Sequence, residues 1–63
     1  MSMERVMFLQ CRISAKINNS VFEKGNVYRI VEKNTDNWIV DDANNIPTSL
    51  EFRFVRTAFI PIT

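Results

Sequence analysis

Phe22-Glu23-Lys24-Gly25-Asn26-Val27-Tyr28-Arg29-Ile30-Val31 carries the clearest structural instruction in this 63-residue chain. An apolar residue is followed by a turn built on the only glycine, and then by a segment that alternates. Gly25 has no Cβ and so makes a turn at positive φ at little steric cost. Beyond it, Tyr28 and Ile30 fall on one side, and Val27, Arg29 and Val31 on the other, the period of two that marks a strand running to Lys33.

Toward the C-terminus, Asn34-Thr35-Asp36-Asn37 is a connection of strong turn formers, Trp38-Ile39-Val40-Asp41 a further strand, and Asp42-Ala43-Asn44-Asn45 a hairpin turn. Ile46 to Leu50 begins extended. Pro47 has no N–H for a central ladder, which places it on an edge strand or in a short 3₁₀ turn. Leu50, Phe52 and Phe54 alternate with Glu51 and Arg53, so Glu51 to Arg56 reads as another strand, and the apolar tail Thr57 to Thr63 must dock on the body or on a second chain. Toward the N-terminus, Met7, Leu9, Cys11 and Ile13 alternate through a strand from Arg5 to Ile13, and Ser14 to Ser20 reads as a loop or short arm. Four or five short strands with no helical period describe an all-β domain over residues 1–63, a small barrel of about five short antiparallel strands. Closure hides strand edges that so small a sheet would otherwise expose.

Size and charge narrow the function classes. A 7.4 kDa chain has a thin margin of stability, since a core of this size supplies only about 3–5 kcal/mol without staples, so a permanent partner or a homodimer is a natural supplement. Eight Lys and Arg against seven Asp and Glu create no field that would draw the chain to nucleic acid or to a membrane. Without histidine the Ser-His and Cys-His nucleophile designs are absent, and a non-enzymatic chain with no cofactor is expected. The single Cys11 forms no internal disulfide and sits in an apolar strand, which fits a small buried hydrophobe in a reducing compartment. No apolar run approaches a membrane span and no signal peptide is evident, so a cytoplasmic location is expected. A calcium loop opened by Asp41 or Asp42 would need Glu at its twelfth position, where Phe52 or Arg53 stands, so no metal site is expected.

The order Phe22, Gly25, Tyr28 with Ile30, a polar loop, Trp38, a hairpin and Ile46-Pro47-Thr48-Ser49-Leu50 resembles the Src-homology-3 (SH3-like) barrels. In those barrels the Trp and the Pro flank a groove for proline-rich peptides, and the resemblance carries that pair onto Trp38 and Pro47. Three features depart from the pattern. Leu9-Gln10-Cys11-Arg12-Ile13 replaces a tyrosine-bearing strand, Leu50 replaces an aromatic, and Lys16 stands in an arm that is acidic in the peptide binders. The resemblance therefore implies the barrel more than its best-known ligand. Phe22-x-Lys24-Gly25-x-x-Tyr28-x-Ile30 is closer to stand-alone barrels of bacteria and phages, which implies a small phage or prophage protein that binds and modulates a host protein.

Two sets of residues follow as candidates. For a protein partner these are Trp38, Val40, Pro47, Leu50 and Val55. Trp38 is either an interface anchor or core, and Val55 shares the outward parity of Glu51 and Arg53. A nucleic-acid-binding barrel is the alternative, with Arg5, Arg12, Arg29, Arg53 and Arg56 gathered on one outer face beside aromatics.

Overall fold

The computed structural model describes residues 6–62. Among them seven strands and one helix follow in order: β1 (Phe8–Cys11), β2 (Ala15–Ile17), β3 (Ser20–Phe22), β4 (Val27–Lys33), β5 (Asn37–Asp41), β6 (Pro47–Glu51), α1 (Phe52–Ala58) and β7 (Phe59–Ile62). One antiparallel sheet has the order β6-β5-β4-β1-β7, and β2 and β3 form a separate hairpin. This is the small all-β, barrel-like fold that the strand pattern leads one to expect, with a Cα radius of gyration of 10.3 Å.

β4 turns the sheet. Its first half pairs with β1 (Leu9 opposite Tyr28) and its second half with β5 (Lys33 opposite Trp38), with a register shift between Ile30 and Glu32. An extra residue in one strand bends it and increases its twist, so one long strand serves two half-sheets lying at an angle.

The core is aromatic at its centre. The Phe22 ring meets Tyr28 edge-on at 5.0 Å and Phe59 at 5.6 Å, and Phe54 reaches Phe59 at 5.9 Å. Such T-shaped pairs add about 0.5–1.5 kcal/mol each beyond the area they bury. The opening motif is locked to this cluster, because the Tyr28 hydroxyl accepts the Glu23 N–H at 2.7 Å while Gly25, at φ 92°, donates to the Cys11 carbonyl at 2.8 Å.

Two segments depart from the sequence reading. Residues expected as a loop after Ser14 are the hairpin β2-β3, whose turn at Asn18 takes φ 55°, a left-handed conformation that asparagine tolerates. The hairpin is held to the body by the Ser20 and Thr48 hydroxyls, 2.6 Å apart, and by the Ala43 N–H donating to the Val21 carbonyl. Glu51 to Arg56, expected as a strand, contains most of α1. Phe52 and Phe54 alternate as in a strand, but Phe52, Val55 and Ala58 also recur every three residues, and that helical face wins because it packs on the core. The apolar tail docks on its own body as β7, antiparallel to β1.

Candidate interaction surface

The fold buries most of the residues expected to meet a protein. Trp38 is 5% exposed, Val40, Leu50 and Val55 are equally enclosed, and only Pro47 stands in solvent. The reason is parity. Trp38 and Val40 face inward with their ladder partners Leu50 and Thr48, whereas Ile39 is half-buried on the other side. The Trp38 ring lies 5.4 Å from that of Phe52, tilted by 44°, and the Lys33 ammonium lies over the Trp38 ring. Val55 is buried because its segment is helical and turns Val55 and Ala58 toward the core. Pro47 is paired with Asp41, three positions along the hairpin from the Trp38–Leu50 pair and on its other face. The two residues carried over from the SH3-like pattern therefore do not flank one groove.

The arginines are not gathered either. Arg53 and Arg56 share the exposed side of α1 with Thr57, and Asp36 and Glu51 line the same depression, so the local field is mixed. The Arg12 backbone donates to the Ala58 carbonyl at the helix end, whereas Arg29 lies on β4 across from Phe8. Arg5 lies outside the described residues.

A different surface emerges on the outer face of β7-β1-β4. Register aligns Arg29, Phe8 and Ile62 in one row and Val27, Gln10 and Ile60 in the next. Phe8 is 46% exposed, Val27 52% and Ile60 47%, so apolar side chains from three adjacent strands lie in solvent together. Large apolar side chains clustered in this way mark interaction sites, whereas scattered ones need no account. The signal was present in the sequence, where both parities of the first strand begin apolar and Phe8 has no place inside if Leu9 does.

Beside this face lies an open groove of about 480 Å³, with Phe8, Val27 and Arg29 on one wall and Asp41 and Asn45 on the other. The β4-β5 ladder stops at Ile30–Val40, so Arg29 and Asp41 diverge instead of pairing. Asp42, at the start of the β5-β6 turn, is spent on structure. Its carboxylate accepts the N–H groups of Ile46 at 2.9 Å and Asn44 at 2.8 Å, and the Ile46 bond is the main cause that lowers its pKa.

The sheet ends are poor docking sites. Arg12 donates to Ala58, and this parity turns Phe8 and Gln10 toward β7 and leaves Phe59 and Pro61 facing the open side. Phe59 spends its N–H on the Val55 carbonyl and proline has none, so neither offers a donor. At the other end, the Asp42–Ile46 and Phe52–Asp36 bonds set a parity that turns Ser49 and Glu51 outward, on a five-residue strand opened by Pro47 and charged at Glu51. Proline, charge and shortness are the usual guards of an exposed edge.

Cys11 is buried, its thiol donates to the Ile13 carbonyl at 3.1 Å, and burial pushes its pKa up, away from thiolate chemistry. Among the described residues no cluster of three His, Cys, Asp or Glu side chains could hold a metal, and no helix is long and apolar enough to cross a membrane. Comparison with protein-family models, curated proteins and solved structures returns no match to this chain.

Proposed function

We propose that this chain is a non-enzymatic protein-interaction module, an SH3-like barrel that docks through the outer face of β7-β1-β4. The observation that carries the reading is Phe8, an aromatic half in solvent between Arg29 and Ile62 in register. A barrel with so small a core gains nothing by keeping Phe8 wet, and aromatics are enriched where protein surfaces meet. The guarded strand ends support contact through the face and not by strand addition. The resemblance to SH3-like barrels contributes the architecture, while the placement of Trp38 and Pro47 argues for a ligand other than a proline-rich peptide.

The test compares immobilised wild-type chain with Phe8→Glu as bait, using soluble protein from the native source. A partner retained by the first and lost by the second, with both baits folded by circular dichroism, is the expected result. Equal retention of every bound protein by the two baits would remove this face from the proposal.

A further inference from the structure

We infer that the partner seated on this face is a second copy of the chain, in a two-fold dimer in which Arg29 of each copy meets Asp41 of the other. The inference rests on the reading above that the outer face of β7-β1-β4 is a contact surface. Charge complementarity selects the occupant. The groove that borders the face is lined by one cation, Arg29, and two carboxylates. Asp42 is buried and taken up by the N–H groups of its own turn, which leaves Asp41 as the carboxylate open to a partner, and among the described residues neither Arg29 nor Asp41 makes an ion pair. A strongly basic or strongly acidic partner would satisfy one of these groups and repel the other. A second copy satisfies both.

Two-fold contacts are isologous, so residue i touching j' requires j to touch i'. With the axis through the groove, Arg29 of each copy reaches Asp41 of the other in two equivalent contacts, and the exposed Phe8 and Val27 of each copy cover those of the other. The guarded sheet ends leave the face as the surface on which two copies can stack, in the manner of sheets packed face to face. A chain of 63 residues also has reason to dimerise, since its own core is small.

The experiment is sedimentation equilibrium on wild-type chain, Arg29→Asp, Asp41→Arg and an equimolar mixture of the two variants, with circular dichroism melts to establish that each is folded. Wild type is expected to dimerise with concentration. Each variant alone places like charges at both contacts and should weaken association by about tenfold or more. In the mixed dimer the introduced carboxylate of one variant faces the introduced guanidinium of the other, and the retained Asp41 of the first faces the retained Arg29 of the second. Both contacts are thereby restored with their charges exchanged at one of them, and the mixture should recover wild-type association. A pair formed within one chain could not produce this rescue. Wild type that stays monomeric up to about 1 mM, the weak end of protein association, overturns the dimer, as does a mixture no tighter than its components. If the dimer fails in this way while Phe8→Glu still loses a captured partner, the interaction reading stands without it.

Discussion

Trp38 and Pro47 face opposite sides of the β5-β6 hairpin. Trp38 is paired with Leu50 and packed against Phe52, ring centres 5.4 Å apart, whereas Pro47 is paired with Asp41 and exposed. Three residues of strand separate the two pairs, roughly 10 Å at the usual rise. A tryptophan enclosed in this way belongs to the stability of the molecule.

Trp38→Ala should therefore act on folding. Removal of a large buried aromatic costs about 3–5 kcal/mol, which is comparable with everything a core of this size supplies. Loss of the β signature in far-UV circular dichroism at 25 °C is expected. A variant that melts like wild type would show that Trp38 is not core.

Gly25 predicts a smaller, purely conformational effect. Its φ is 92° and an added Cβ would meet no atom within 4 Å, so Gly25→Ala adds backbone strain without a clash. The expected loss is about 1–2 kcal/mol, read from urea unfolding with an unchanged m-value. Substitution at no cost would mean that the turn relaxes to negative φ.

Asp42 makes stability depend on pH. Its carboxylate is held by the Ile46 and Asn44 N–H groups, and its folded pKa lies below the ordinary value of about 3.9. The unfolded chain therefore binds the proton more readily. The contribution is fully present above the ordinary value and is lost as pH falls through the lowered folded value. Urea midpoints for wild type and Asp42→Asn between pH 2 and 6 should converge toward the acid end. Parallel curves would assign the acid sensitivity to another group.

Pro61 predicts a change in solution behaviour. It faces the open side of β7 and makes no ladder bond to lose, so Pro61→Val should leave monomer stability within about 0.5 kcal/mol. It also returns an outward N–H to an edge flanked by Ile60 and Ile62. Concentration-dependent light scattering should rise above wild type. Identical scattering would indicate that another feature guards this edge.

The elements closest to Gly25 were the most legible. The turn, the alternation of β4 and the hairpin after Asp41 each rest on local chemistry within a few residues, and each stands where the residues place it. The segment from Phe52 to Ala58 was ambiguous because Phe52 and Phe54 satisfy a period of two while Phe52, Val55 and Ala58 recur every three residues, close to one helical turn. The candidate interface was harder still. The same alternation that separates the two faces of β5 does not say which is inside, and the inward choice of Trp38 and Val40 reverses the roles of the residues expected to bind.

By itself, the order of residues determined the all-β class and the turn at Gly25, and confined Pro47 to an edge strand or a short turn, because φ preference, missing donors and period are local properties. Tertiary structure alone decided that Val55 lies in a helix, that Trp38 is core, and that Phe8, Val27 and Ile60 share one wet face. Phe8 and Ile60 are 52 residues apart in the chain and lie on adjacent strands only because β7 returns to pair with β1. A surface assembled from such distant residues is set by strand order and register, which depend on the packing of the whole molecule.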